Sequence, residues 1–319
     1  MTLLIREEDV RRLLTMADAV RLVREALASQ TTLGGQNLPR KRLDLNHGLL
    51  NIMSASVPAA HASGLKAYSV GRGGARFLVA LWDRDDGRLL ALIEADWLGR
   101  IRTGAASGVA TDALAARNAA TLAVIGSGKQ ARTQVHAIAT VRELKDVRVF
   151  CRDPSHRSAF ARDVESALGV AARPVDSPRD ALADAEIVTT ITTASEPVIE
   201  GEWLGATCHV NAAGSNFAGR RELGSSVLKM ANTIAVDSLE QARIEAGDLL
   251  IPIEEGVISW DEVTELGEFL RDPTQHSGGV SVFKSLGVAV EDVAVARFVY
   301  DRAMAEGLGE STTFGEIAR

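Results

Sequence analysis

Thr121-Leu-Ala-Val-Ile-Gly126-Ser-Gly128-Lys-Gln-Ala131 is the stretch whose reading decides the fold. A short apolar run, Leu122 to Ile125, leads directly into Gly-x-Gly-x-x-Ala, and a helical pattern follows. In a parallel α/β unit the first glycine of such a loop permits the tight turn. The second lets backbone approach a pyrophosphate, and the small third residue packs the helix onto the strand. The helix start then offers free N–H groups and the positive end of its dipole to phosphate. Gly126, Ser127, Gly128, Lys129, Gln130 and Ala131 are therefore the expected cofactor loop. A ligand-free strand-to-helix turn could carry the same glycines, but the strand before, the helix after and a second strand ending about twenty residues later favour a dinucleotide site. That second strand ends at Cys151-Arg152, where an NAD site usually has Asp or Glu for the ribose hydroxyls. A neutral residue followed by arginine suits a 2′-phosphate, so NADP is favoured and NAD is the alternative. His156 and Arg157 could assist, and Asp153 argues the other way.

Working outward, apolar runs and helical segments alternate from Thr121 onward, the grammar of a parallel sheet. Strands are expected at 122–125, 147–151, 186–192, 207–212 and 233–237. Helices are expected after Gly128, Ser155 and Ser177-Pro178, over 222–229, and after Ser238. Upstream, Thr15-Met-Ala-Asp18 has capping-box spacing before an apolar helical stripe that Gly34-Gly35 would end. From about Arg42 to Glu94, short apolar runs separated by turn signals such as Asp85-Asp86-Gly87 predict an antiparallel sheet. Asp96 would cap an Ala-rich helix reaching about Ala116. The fold class expected is α/β: a Rossmann-type doubly wound parallel sheet domain over 117–288, plus a second α+β domain over 1–116. An apolar-striped helix in 289–319 would return to complete that second domain.

The 319 residues suggest two domains at about 150 residues each. With 46% hydrophobic and only 4% aromatic residues, the core must come from Ala, Val, Leu and Ile. Thirty-five basic against 42 acidic residues give a net charge of −7, so no basic excess points to nucleic acid or an anionic membrane. Two cysteines exclude a disulfide scaffold and a four-cysteine zinc site, and fit a reducing cytoplasm. No cluster has metal-ligand spacing. The N-terminus is charged from Arg6 and lacks the pattern of a signal peptide, and no run reaches the ~18 apolar residues of a membrane span. Cys151, Cys208 and His209 read as packed, structural residues, and His47 beside Gly48 as part of a hairpin turn.

The glycine loop, preceded by Arg102-Thr-Gly-Ala-Ala-Ser-Gly, resembles the ornithine cyclodeaminase/mu-crystallin family. So do Asn211-Ala-Ala-Gly-Ser-Asn, Asp237-Ser-Leu-Glu-Gln-Ala and Phe283-Lys-Ser-Leu-Gly-Val-Ala-Val-Glu-Asp, in order along nearly the whole chain. The resemblance implies that the domain over 1–116, completed by 289–319, binds substrate and forms a homodimer by sheet pairing, with an active site between domains and a nicotinamide cofactor. It also implies an amino or imino acid substrate whose α-carbon gives or receives hydride. Such a site needs cations for the carboxylate and a proton carrier near the nitrogen.

Arg102 matches the arginine that grips the substrate carboxylate, which a planar guanidinium can bind in bidentate fashion. Lys66 matches the catalytic lysine, whose burial would lower its pKa towards a useful range. Either could instead be an ordinary surface charge. Arg42 is a third candidate for the carboxylate, with Arg40 available in the same Pro-Arg-Lys-Arg run. Thr192 and Ser215 complete the expected cofactor contacts. Cyclodeaminases proper have Asp where this chain has Asn216, which can hydrogen-bond but cannot act as a base. The expected function is therefore NAD(P)H-dependent imine reduction or amino-acid dehydrogenation. A redox-neutral ornithine cyclodeaminase is the runner-up, and a non-catalytic NADP-binding dimer the third reading.

Overall fold

The computed structural model describes residues 1–30, 32–276 and 278–314, which form two compact units. One comprises Met1–Arg102 with the segment from Gly287 onward, the other Thr103–Leu286. The chain crosses between them inside a helix, fourteen residues before the boundary expected at 116/117, and returns two residues before that expected at 288/289. The reason for the first shift is local packing in the second unit. A Cβ on Gly104 would lie 2.3 Å from the Thr133 carbonyl oxygen, and one on Gly108 3.0 Å from that of Ala137. The small residues after Arg102 let this part of the helix close onto its neighbour.

The first unit opens with β1 (Thr2–Ile5), α1 (Glu7–Leu13) and α2 (Met16–Ser29). Thr15 caps α2 by accepting from the Asp18 amide at 3.2 Å. Four long strands follow: β2 (Gln36–Leu45), β3 (Gly48–Val57), β4 (Ala62–Gly71) and β5 (Gly74–Asp83). In the turn after β5, Asp83 accepts from the amides of Asp85 and Asp86, and Gly87 takes a left-handed φ of 71°. Then come β6 (Leu89–Glu94) and α3 (Asp96–Leu114).

The second unit contains β7 (Thr121–Ile125), α4 (Lys129–Val141), β8 (Asp146–Phe150), α5 (Pro154–Leu168), β9 (Ala171–Pro174), α6 (Pro178–Leu182) and β10 (Ile187–Thr190). It continues through β11 (Cys208–Ala212), α7 (Ser225–Met230), β12 (Ala231–Val236), α8 (Leu239–Glu245), α9 (Gly247–Glu254), β13 (Val263–Glu265), α10 (Leu266–Arg271) and β14 (Val280–Lys284). The chain then re-enters the first unit with α11 (Ala289–Glu306) and β15 (Glu310–Thr312).

The second unit holds a parallel eight-stranded sheet in the order β13-β12-β14-β11-β10-β7-β8-β9. Leu122 and Val124 of β7 enter one apolar cluster while Ala123 and Ile125 enter another, so both faces are covered. From β7 the order runs through β8 on one side and β10 on the other. The carboxyl ends of these strands therefore flank the switch point at which doubly wound sheets bind ligands. Sequence periodicity missed β9, β13 and β14. Two are short strands at the rims, and β14 (Val-Ser-Val-Phe-Lys) carries polar residues that only burial on both faces explains. The helix expected over 222–229 begins at Ser225, which leaves Glu222 in the preceding loop.

The first unit's sheet runs β15-β1-β6-β5-β4-β3-β2. It is mixed rather than antiparallel, because β1 pairs parallel to β6, and its long strands begin at Gln36 rather than near Arg42. α11 packs on the face carrying Gly64 and Lys66: the Val293 side chain would meet a Cβ on Gly64 at 2.7 Å. Among the described residues, no helix is long and apolar enough to cross a membrane.

Candidate active site

Lys66 lies in the middle of β4, a position that normally alternates with polar residues, yet it is only 2% exposed. Its register partners are Met53 on β3 and Val79 on β5, both buried, so the face it points to is the core face. Asp292 of α11 makes this tolerable: its Oδ1 accepts from Lys66 Nζ at 2.7 Å and from Arg102 Nε at 3.0 Å. Glu291 accepts from Arg102 Nη1 at 2.7 Å. Both carboxylates are fully buried, so neither cation is a solvated surface charge. Tyr68 and Phe77 stack with centroids 5.2 Å apart, and Lys66 Nζ lies 5.7 and 5.8 Å from the two rings.

The N-terminal arginine pair is divided by a register irregularity in β2 between Leu38 and Lys41. Arg40 is buried and donates from Nη2 to the Gly287 carbonyl at 2.8 Å. Arg42 is half-buried and pairs in register with Asn51. Gly287 has φ of 72°, and a Cβ there would lie 2.5 Å from Arg102 Nη1. Arg40 and Arg102 thus flank one glycine, and only glycine leaves room for the second of them. Three cations, Arg40, Lys66 and Arg102, consequently gather around two carboxylates, Glu291 and Asp292.

The electrostatics follow. Burial, then the nearby Arg102, pushes the Lys66 ammonium down to about 8 against the pull of Asp292, with Arg40 also lowering it. Burial alone would lower the Arg102 pKa, but Asp292 and Glu291 outweigh it and hold it above its ordinary value. Among the described residues, Arg102 Nη2 makes no hydrogen bond and Lys66 Nζ makes one. The cluster therefore retains N–H donors on Arg102 and Lys66, which a carboxylate ligand requires.

Glu291 and Asp292 were not singled out from sequence. They were visible there as adjacent acids in the first turn of a helix, a place where the helix dipole favours them.

In the second unit, Gly126 has φ of 115° and donates its N–H to Phe150 O at 2.8 Å. A Cβ there would lie 2.4 Å from Ile191 O, whereas one on Gly128 would meet nothing within 4 Å. Gly128 caps α4 without a side chain, and Lys129 beside it is exposed. Ala131 is buried against the sheet. An exposed helix start with open space above the second glycine fits the pyrophosphate of a dinucleotide. Ser127 Oγ donates to Cys151 Sγ at 3.0 Å, and the thiol donates to Asp153 O at 3.2 Å. The Asp153 carboxylate caps α5, accepting from Ser155 and His156. These bonds hold it down at about 2, the Ser155 hydroxyl first. Arg157 is engaged with Asp176 at 2.6 Å and lies over Phe150. Arg152 is exposed and, among the described residues, makes no hydrogen bond or ion pair. Thr192 and Ser215 follow the carboxyl ends of β10 and β11, as does Asn216. His209 bonds Ser281 and Asn211 through its two ring nitrogens, and burial brings it down to about 3. The buried Cys208 thiol is pushed up to about 12, chiefly by burial.

The family model for the ornithine cyclodeaminase/mu-crystallin family matches residues 1–307. A Δ1-pyrroline-2-carboxylate reductase from Bacillus cereus is 39% identical over 241 residues, 74% of each chain. An alanine dehydrogenase from Archaeoglobus fulgidus is 30% identical over 99% of each chain. Among solved structures, Thermococcus litoralis Δ1-pyrroline-2-carboxylate reductase in complex with NADH and L-proline superimposes with a TM-score of 0.92 at 30% identity. That match covers 98% of this chain and 100% of the other.

Proposed function

This chain belongs to the ornithine cyclodeaminase/mu-crystallin family, and from that premise we propose that it reduces a cyclic 2-imino acid of the Δ1-pyrroline-2-carboxylate type. It is an NAD(P)H-dependent oxidoreductase acting on imino or amino acids. The observation that carries the substrate class is the buried Lys66–Asp292–Arg102 cluster, in which Arg102 Nη2 and Lys66 Nζ keep N–H donors for a carboxylate. Reduction adds hydride to the carbon bearing that carboxylate and a proton to the adjacent nitrogen. A bound nicotinamide dinucleotide supplies the hydride.

The chain's own residues do the rest. Arg102 Nη2 and the Arg40 guanidinium bind the carboxylate, with Arg42 at the edge of the cluster. Lys66, poised near neutral pH, holds the proton destined for nitrogen. Asp292 keeps Lys66 and Arg102 side by side. Asn216, where cyclodeaminases proper have Asp, can hydrogen-bond but cannot act as a base, which disfavours a redox-neutral cyclodeaminase.

The cofactor is held by Gly126 to Ala131, with Thr192 and Ser215 at the nicotinamide end. Arg152 next to Cys151 receives a 2′-phosphate, which favours NADP although the Thermococcus enzyme is in complex with NADH. Two free thiols suit a reducing cytoplasm. The first unit binds substrate and pairs with a second copy through the face of its sheet opposite α11. On that face Leu38, Leu43 and Leu78 are 62%, 53% and 42% exposed.

The test is nicotinamide absorbance with NADPH or NADH and Δ1-pyrroline-2-carboxylate, with pyruvate plus methylamine alongside. Consumption of reduced cofactor with proline as product is expected, with NADPH preferred and that preference lost in Arg152→Ala. Conversion of ornithine to proline and ammonia without net cofactor consumption would overturn the reading.

A further inference from the structure

A buried ionic network in the second unit takes no part in the chemistry described above. Glu222 is fully buried in the loop before α7, and both of its carboxylate oxygens are used. Oε1 accepts from the Thr192 amide at 2.6 Å and the Thr192 hydroxyl at 2.7 Å. Oε2 accepts from the Gly214 amide at 2.7 Å and the Thr190 hydroxyl at 3.0 Å. One side chain thus ties the segment leaving β10 to the segment leaving β11. The approach requires glycine at 214, where a Cβ would lie 2.4 Å from Glu222 Oε1 and 2.5 Å from Thr192 N.

Glu222 is itself fixed. Asp248, at the start of α9, accepts from the Glu222 and Leu223 amides at 2.6 and 2.9 Å, and pairs with Lys284 Nζ at 2.8 Å. Lys284, fully buried at the end of β14, donates to Ser215 O at 2.6 Å. The 214–215 turn is therefore held from two sides, by Glu222 at its amide and by Lys284 at its carbonyl.

We propose that Glu222, with Asp248 and Lys284 behind it, is a positioning residue that sets the two strand-end loops carrying Thr192 and Ser215 for the nicotinamide half of the cofactor. This rests on the reading that the cofactor spans the switch point from Gly126 towards those loops. The chemistry of the donors gives the reason for a carboxylate. All four partners are N–H or O–H donors, so the site needs an acceptor on both branches. A glutamine would turn its NH2 against two of them and leave buried donors unmade. In the loops after β7 and β8, the hydrogen bonds from Ser127 to Cys151, from Cys151 to the Asp153 carbonyl and from the Gly126 N–H to the Phe150 carbonyl include neither Glu222, Asp248 nor Lys284.

The test compares whole-cofactor binding with fragment binding in the full-length protein. Dissociation constants are measured for NADPH and NADH, and for 2′-phospho-ADP-ribose and ADP-ribose, which lack the nicotinamide. In Glu222→Gln the reduced cofactors should bind roughly tenfold or more weakly, the loss from unmade buried hydrogen bonds, while the fragments move by less than about twofold. Equal weakening of cofactors and fragments with a lowered Tm marks a purely structural role and overturns the proposal, as does no change in either. If Glu222→Gln fails to fold, Thr190→Val decides. It removes one donor to Oε2 from inside a strand, and should give the same split at about threefold. Absence of that split overturns the proposal. A wild-type protein that binds neither cofactor nor fragment overturns the cofactor reading and the clamp together. A wild type that binds both, beside variants without the split, overturns the clamp alone.

Discussion

Under the proposed function the proton step falls to Lys66, whose ammonium pKa is lowered by burial. Its ammonium gives up a proton near pH 8, where an unfolded lysine keeps it to 10.5. Two consequences follow with definite sign. Imine reduction needs the protonated form, so kcat/KM for reduction should fall as pH rises through about 8. Oxidation of the product amine should rise across the same interval, and paired pH profiles check this. Between the two pKa values the unfolded chain binds more protons, so the stability this group contributes rises with pH over that window. Asp292 opposes the lowering, so Asp292→Asn should move the alkaline fall of the reduction profile to lower pH. An unmoved profile would remove Lys66 from the proton step. Arg102→Ala should cost about 2–3 kcal/mol in kcat/KM, the scale of a charged hydrogen-bonded contact, and unchanged kinetics would reassign the carboxylate. The cations were legible in sequence because Arg102 and Lys66 match residues of the family that the chain resembles. Their partners Glu291 and Asp292 were not, because the pairing spans 190 and 226 residues of chain.

At the scale of elements, glycines decide which segments approach each other. α3 and α4 close together because Gly104 and Gly108 present no side chain to the Thr133 and Ala137 carbonyls. Gly104→Val should force this contact apart and cost about 2 kcal/mol, seen as a lower thermal midpoint. A midpoint equal to wild type would show that the contact is dispensable. The strand–loop–helix around Gly126 was readable in full, since each of its roles is local. The irregularity in β2 was not. A strict period of two puts Arg40 and Arg42 on one face, yet the register shift after Leu38 buries Arg40 and leaves Arg42 half-exposed. Sequence alternation assumes uninterrupted pairing, and a bulge breaks that assumption without a marker in composition.

For the molecule as a whole, one face of the first unit's sheet lies under α11, and the other carries the exposed Leu38, Leu43 and Leu78. Leu43, Leu50, Ile52, Ala67 and Leu78 share that second face by strand register. A contiguous apolar stripe of this kind on a wide sheet marks an association surface. Leu43→Glu should convert the proposed dimer to a monomer by light scattering, and an unchanged mass would move the interface elsewhere. The sequence alone determined that a dinucleotide-type α/β unit begins at Thr121 and that a sheet-bearing segment precedes it, because these depend on local periodicity and on what glycine alone can do. Its resemblance to the family also marked Lys66 and Arg102 as the candidate cations. Tertiary structure decided where one unit ends inside α3, which arginine is buried, and which acids hold the lysine and arginine. It also decided that Glu222 joins two strand ends. Each of these is set by contacts between distant residues, whose energies of burial and pairing leave no periodic trace in the chain.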